Sequence, residues 1–423
     1  MLRKLDIPSA EHGSTFEEIA TLEQHVLWAK LLRTNDKMGM VRFDFEYNPW
    51  FMGNFTLFSL SASLGYEIAC VIVFILRSPY YDYAISNPYR LKSSSLCIGN
   101  SFPPSADGLV MKTNLLPSQW IPFNVTSNNR RIFFHETSGN AQLNFQQCCA
   151  VESAAKHNPD RPVQVFLRPL VNYGCSVRPS TLFQSPPWLD VLSRYPNVDV
   201  ILVNEDRYFA GTPLQDWYQK GEWLKSQHEV AHLSDYIRIL TLYKGGGLYL
   251  DTDILTLKIY QGDMFRNCLV YGSGRMEVFS NGVMHLERGH WLSAEIIRLL
   301  AEEYDKEAYA YHGPAVVSEV MGRMCGVVAG HSNSNHCEDV KLLSDRFFYP
   351  IEAPFSHVIF NDHGNKTDKE TLIKIRKSYG LHLWNSLSYV HQPVRIDSNQ
   401  IFSVLARQHC PHTVARAADF PMK

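Results

Sequence analysis

The segment spanning residues 228–255, HEVAHLSDYIRILTLYKGGGLYLDTDIL, limits the fold more than any other part of the chain. Val230, Leu233, Ile237 and Leu240 recur at three- and four-residue steps, which predicts a helix with one buried face. Lys244 falls in the last turn, where a cation suits the carbonyl end, and Gly245, Gly246 and Gly247 supply backbone free to take positive φ. Leu248, Tyr249 and Leu250 read as a short buried strand, so Asp251 and Asp253 emerge at its carboxyl end. In an open α/β sheet that is where ligands bind.

Strand and helix patterns alternate around this segment. Residues 131–135 predict a first strand, 142–156 a helix, and 163–167 and 198–203 two more strands. After the central segment, a strand led by Asn281 and Gly282 ends near Glu287, and residues 291–304 form an amphipathic helix. Tyr311, His312, Gly313 and Pro314 mark a loop that opens a helix reaching Cys325, with proline near its first turn. Residues 379–384 give a late strand followed by Asn385 and Ser386. The alternation implies an α/β fold with a largely parallel sheet flanked by helices.

At 423 residues the chain is long for one core, so one large domain with an N-terminal extension is expected. The expected divisions are a tail over 1–54, a membrane anchor over 55–76, a stem over 77–129 and the packed domain over 130–423. In the tail, Ser14 and Glu17 have capping-box spacing, and Phe16, Ile19, Leu22 and Val26 continue one apolar face. As a helix, the apolar run 55–76 would be about 33 Å long, enough to cross about 30 Å of hydrocarbon. Glu67 opposes insertion by about 3 kcal/mol, against roughly 5 kcal/mol in favour from the apolar side chains. Lys37 and Arg42 before the run, and Arg77, Arg90 and Lys92 after it, do not decide its orientation. Proline, serine and asparagine mark 77–129 as a linker.

The 40 Lys+Arg nearly balance the 42 Asp+Glu, so no global field favours nucleic acid, and any anionic ligand must be met by local chemistry. The nine cysteines contain no CxxC spacing, which argues against a zinc site. Cys325 and Cys337 flank a polar loop that a disulfide closes in an oxidising compartment. Asn124 and Asn365 begin glycosylation sequons. Asp251 and Asp253 can offer oxygens to a hard divalent cation that keeps positions open for a substrate phosphate. Asp235 and Arg238 share a helix face, either as an ion pair or as an acceptor and donor fork turned into the same cleft. His382, on the late strand, is either a packed residue or a third metal ligand, and Asn385 and Ser386 beside it could donate to phosphate oxygens.

The blocks His232-Leu-Ser-Asp235-Tyr-Ile-Arg238, Gly245 to Asp253, Asn281-Gly282 with Leu286-Glu-Arg-Gly-His290, His312-Gly-Pro314 and His382-Leu-Trp-Asn385 stand in one order. Together with Phe133-Phe-His-Glu-Thr-Ser138, they resemble glycosyltransferase family 32, the α1,4-glycosyltransferases, over about residues 130–390. The resemblance implies a GT-A fold with a Rossmann-like, mixed and mostly parallel sheet. It also implies Mn2+ and transfer of sugar with retention at the anomeric carbon. UDP-Gal or UDP-GalNAc is the expected donor and a glycolipid the expected acceptor, in a type II, single-span protein of the Golgi membrane. That setting is compatible with homo- or hetero-oligomers with other Golgi transferases.

Carried over by position, Asp253 binds the ion, Asp251 reaches ribose and metal, and His382 completes the shell. Asp235 and Arg238 contact the donor sugar, and Asn281 and Gly282 border it. His135, Glu136 and Thr137 receive the nucleotide, and His312, Gly313 and Pro314 form a loop at the sugar site. The rival readings are GlcNAc transfer to glycoprotein glycans, and an inactive relative that binds glycans or escorts another transferase.

Overall fold

The computed structural model describes residues 39–42, 56–59, 70–71, 102–169, 188–273, 278–327, 336–362 and 368–418. The chain divides into two units, Met1–Arg90 and Leu91–Lys423. In the first, strands β1 (Gly39–Arg42), β2 (Thr56–Ser59) and β3 (Cys70–Val71) form an antiparallel sheet in that order, with Gly39 opposite Ser59 and Phe58 opposite Val71. This corrects the helix expected over 55–76 wherever that stretch is described. Thr56, Phe58 and Val71 are β-branched or aromatic, residues that suit extended backbone. No helix among the described residues is long and apolar enough to cross a membrane. The helix expected from Ser14 and the sequon at Asn365 lie outside the described residues.

The second unit contains β4 (Gly108–Met111), β5 (Ile121–Phe123), β6 (Ile132–Glu136), β7 (Val163–Leu167), β8 (Val198–Val203) and β9 (Gly247–Leu250). Further along the chain come β10 (Ile254–Thr256), β11 (Cys268–Tyr271), β12 (Phe279–Leu286), β13 (His336–Cys337), β14 (Val340–Leu343) and β15 (Gly380–His382). Ten strands make one sheet in the order β13-β14-β11-β12-β9-β6-β7-β8-β4-β5, and β10 and β15 make a separate antiparallel pair. The run β9-β6-β7-β8 is parallel, while β12 joins β9 and β4 joins β8 in antiparallel sense. The sheet is therefore mixed, with a four-stranded parallel run at its centre and a further parallel pairing between β11 and β14.

Strands β4 and β5 fall inside the stretch expected to be a stem, so the packed unit begins before residue 130. They read as linker because Pro103 and Pro104 precede them, Pro122 lies within β5, and β4 joins the rest of the sheet only through β8, far along the chain. Gly108 is needed there, since a Cβ would collide with the Leu202 carbonyl.

Helix α1 (Phe145–His157) starts at a capping box made by Asn144 and Gln147. Helix α2 (Glu229–Gly245) is the central helix of the sequence pattern, with Leu233, Ile237 and Leu240 buried. Val230, counted in that pattern, instead lies 40% exposed in the first turn. Gly246 and Gly247 take φ of 70° and 117°, and Gly245 is the last helical residue, where a Cβ would run into the Arg131 guanidinium.

The strand period of two sends Phe133 and Tyr249 into the core beneath α2, α3 (Trp291–Glu302) and α4 (Val316–Cys325). Ile132, Phe134, Leu248 and Leu250 face the opposite core, beneath α1. A third core joins Leu255 and Leu381 of the small sheet, and Leu383 just beyond it, to α5 (Ile401–His409) and α6 (Pro411–Ala418). Disulfides link Cys149 to Cys410 and Cys325 to Cys337.

Candidate active site

Asp251 leaves the end of β9 in line with β12, its N–H donating to the Gly282 carbonyl at 2.9 Å. Its Oδ1 accepts from Arg238 Nη1 at 2.9 Å and from the Tyr249 hydroxyl at 2.6 Å. Its Oδ2 faces Gly282, where a Cβ would lie 2.5 Å from it. Glycine at 282 thus leaves one carboxylate oxygen of Asp251 open.

Asp253 is buried, and the antiparallel pair β10/β15 brings His382 to it by setting His382 opposite Ile254. His382 Nε2 stands 3.2 Å from Asp253 Oδ1 and 3.9 Å from Asp251 Oδ2. His382 Nδ1 accepts the Trp384 N–H at 3.2 Å, which turns the other ring nitrogen toward the carboxylates. Trp384 holds φ of 55°, a strained value for a bulky residue, and the next N–H, that of Asn385, donates to Asp253 Oδ2 at 2.9 Å. One ligand atom from each of Asp251, Asp253 and His382 lies within 4.8 Å of the others.

The third side of the site comes from α2. Asp235 is buried and its Oδ1 accepts from Asn281 Nδ2 at 2.7 Å, with Arg238 Nη2 at 3.3 Å. Burial raises the Asp235 carboxyl to about 6, against the opposing pull of Arg238 and Asn281. A Cβ on Gly313 would sit 2.8 Å from both Asp235 oxygens and collide with Asn281. Gly313 belongs to a single wide π-type turn, Tyr311–Ala315, that ends where α4 begins. Pro314 lies inside that turn. His312 packs away from Asp235 among His232, Tyr236 and Tyr304, and burial lowers it to about 4.

Several expected roles change once contacts are visible. Arg238 has no donor to spare for a sugar: its Nε meets the Ser234 carbonyl, Nη1 meets Asp251 and the Asn281 carbonyl, and Nη2 meets Ser234 Oγ and Asp235. Burial opposes its charge, but Asp251, Tyr249 and Asp235 raise its pKa overall, so it stands as a locked cation that braces the carboxylates. His135 points into the core, stacked on Phe166 with Nε2 2.8 Å from Thr241 Oγ1. Burial, Arg238 and Arg131 hold it well below its ordinary value, so it stays neutral.

Thr137 donates to the Val230 carbonyl at 3.0 Å. Of the nucleotide-end trio, only Glu136 keeps a buried atom without a protein partner, Oε2, and burial raises its pKa. Ser386 and the sequon residue Asn124 are exposed. Tyr249 was missed as a site residue, although two-residue spacing in a strand places it on the same face as Asp251. Tyr349, beside His382, carries no such signal.

The donor set fits a divalent cation. Burial raises the Asp253 carboxyl, His382 offsets this and the neighbouring charge of Asp251 adds to it, while the Arg238 cation pairs with Asp251 through that second carboxylate's Oδ1. Asn385 Oδ1, next to Asp253, is a buried acceptor with no donor. Two carboxylates and one imidazole are a hard to borderline ligand set, open on the Asp251 side.

Comparison with known proteins covers the same regions. The model described as "Glycosyltransferase sugar-binding region containing DXD motif" matches residues 145–267, and "Alpha 1,4-glycosyltransferase conserved region" matches residues 285–417. Lactosylceramide 4-alpha-galactosyltransferase of Pan troglodytes is 31% identical over 288 residues, covering 67% of this chain and 76% of that protein. Alpha-1,4-N-acetylglucosaminyltransferase of Homo sapiens is 29% identical over 288 residues, covering 68% of this chain and 80% of that protein. The solved galactosyltransferase LgtC, in complex with donor and acceptor sugar analogs, aligns with a TM-score of 0.32 at 14% identity, over 67% of this chain and 95% of that one.

Proposed function

Because the chain belongs to the α1,4-glycosyltransferase family, we propose that it moves galactose or N-acetylgalactosamine from a UDP-sugar onto a glycolipid, with Mn2+ and with retention at the anomeric carbon. It is a glycosyltransferase with a mixed α/β fold. The observation that carries the reading is the meeting of Asp251, Asp253 and His382 beside an uncommitted carboxylate oxygen. A glycolipid acceptor is favoured by the lactosylceramide enzymes among the relatives. The 29% identical human enzyme keeps GlcNAc transfer as the second reading. Two disulfides suit an oxidising lumen such as the Golgi.

A divalent cation held by Asp251, Asp253 and His382 would supply positive charge where the departing diphosphate gathers negative charge. The protein's own part is positional. Arg238 and Tyr249 fix one oxygen of Asp251, so only the other is presented. The Asn385 N–H fixes Asp253, and Asn385 Oδ1 is left to accept from a bound hydroxyl or water. Asp235, steadied by Asn281, offers an acceptor to a sugar hydroxyl across the gap that Gly313 leaves open. Glu136 Oε2 would accept an N–H from the base. We assign no carboxylate as nucleophile: Asp251 and Asp253 are given to the cation, and the oxygen of Asp235 left free by Asn281 and Arg238 to a sugar hydroxyl. Retention then follows from attack on the face the diphosphate leaves, with a phosphate oxygen taking the acceptor's proton.

A unit-charge pair at about 4 Å and an effective dielectric near 20 is worth about 4 kcal/mol, or about a thousandfold in rate. Asp253→Ala should therefore abolish measurable transfer in a panel of UDP-sugars with Mn2+, with melting retained. Substantial residual turnover, or full activity after chelation, would sink the metal-dependent reading. Trapping a covalent glycosyl-enzyme would sink the same-face route.

A further inference from the structure

The candidate metal ligands arrive from two different sheets. Asp251 stands at the end of β9 in the ten-stranded sheet, while His382 belongs to the separate β10/β15 pair. A cation site tolerates little spread in ligand position, so the two sheets must be held in fixed register at this point. We infer that Tyr349 is the positioning residue that does this, its hydroxyl bonded to Ser280 of β12 while its ring packs on His382. The inference rests on the proposed metal site.

On the His382 side, the Tyr349 ring lies 5.3 Å from the His382 ring and 5.6 Å from that of Trp384, centroid to centroid. Its neighbour Phe348 accepts the His382 N–H at 3.0 Å. On the Asp251 side, the Tyr349 hydroxyl makes a short hydrogen bond with Ser280 Oγ. Ser280 Oγ accepts the Gly282 N–H at 3.0 Å, and the Gly282 carbonyl accepts the Asp251 N–H at 2.9 Å. A Cβ on Gly282 would lie 2.5 Å from Asp251 Oδ2 and 3.1 Å from the Tyr349 hydroxyl, so both oxygens border one small gap.

Tyr349 is only 4% exposed, and it comes from neither β9 nor β15. One rigid side chain therefore touches the imidazole directly and reaches the Asp251 backbone through three hydrogen bonds. Removing the hydroxyl keeps the ring packing and cuts the link to β12. Asp251 and His382 then drift relative to each other, and the cation is lost before the fold is.

The test titrates metal-free protein with Mn2+ by calorimetry. Tyr349→Phe should weaken Mn2+ binding about tenfold, as removal of a partner behind a metal ligand commonly does. Its melting temperature without metal should stay within a few degrees of wild type, and at saturating Mn2+ its kcat should recover. Ser280→Ala breaks the same link from the other end and serves if Tyr349→Phe does not fold. The double variant should be no weaker than the worse single one, because both remove one interaction. Tyr195→Phe, which removes a hydroxyl bonded to Glu152 well away from the site, is the control and should leave Mn2+ affinity unchanged. Wild-type Mn2+ affinity in Tyr349→Phe, or a loss matched by Tyr195→Phe, overturns the inference while leaving the metal site standing. A wild-type chain that takes up no Mn2+ overturns both.

Discussion

Glu152 and Asp253 are both buried carboxylates, yet their surroundings differ in kind. Glu152, on α1, accepts from the Tyr195 hydroxyl at 2.7 Å, the His412 N–H at 2.9 Å, the Thr413 N–H at 2.7 Å and the Thr413 hydroxyl at 2.6 Å. It thereby caps the first turn of α6 from across the chain, next to the Cys149–Cys410 disulfide. Asp253 has one backbone N–H and a histidine, with a second carboxylate beside it, and its carboxyl is raised by burial. A buried charge whose lone pairs are filled by protein donors is part of the scaffold. A buried charge left short of donors costs stability, and it persists at a place where something else completes it.

Three substitutions can break or sharpen this contrast. The largest effect is expected from Gly282→Ala, whose methyl would enter the gap beside Asp251 Oδ2. Transfer should fall by about 100-fold or more, with Mn2+ affinity falling in parallel. The melting temperature should change little, and unaltered turnover would show that the open oxygen is not used. Glu152→Ala should do the reverse, leaving kcat at 25 °C near wild type while stranding the donors at the start of α6. A cost of about 3 kcal/mol corresponds to a melting point lower by about 5 to 10 °C. Lost activity at unchanged stability would blur the two classes of carboxylate.

The smallest effect concerns His285 on β12, which is buried, donates from Nε2 to the Asn129 carbonyl and accepts the Asn267 N–H at Nδ1. Burial, then Arg161, lowers its pKa from near 6.5 to about 4. The unfolded chain therefore takes up the proton first. The stability it contributes is complete above pH 6.5 and is lost as the pH falls toward about 4. His285→Gln should flatten the melting-temperature profile over that window by about 2 to 4 °C, without moving Mn2+ affinity. An unchanged profile would assign the acid loss to other groups.

The helix over 229–245, the glycine break and the strand that presents Asp251 were legible in the chain because they depend on local periodicity and on backbone freedom at glycine. So were β7 and β8, whose apolar runs are interrupted only by Gln164 and Asp199. The same reasoning misread 108–123 as linker, since short strands at the margin of a sheet carry little pattern of their own and are made by the partners they pair with. It read 55–76 as a helix from hydrophobicity and length, measures that do not separate a helix from the extended segments described at 56–59 and 70–71. Helix spacing left Arg238 open as an ion pair or as a fork turned to the substrate, and the resemblance implied the donor sugar; sequence position does not show whether its N–H groups are already taken.

Local sequence thus determined which acids stand at a strand end and which helix runs into it, because apolar periodicity and backbone freedom at glycine mark both. What completes the site was decided only in three dimensions. His382 meets Asp253 through the β10/β15 register, Tyr349 reaches Ser280, Gly313 backs onto Asp235, and Cys149 finds Cys410. Each of these joins residues far apart along the chain, and such contacts form only when the whole sheet and its three cores are packed. No window of residues contains the geometry that selects them.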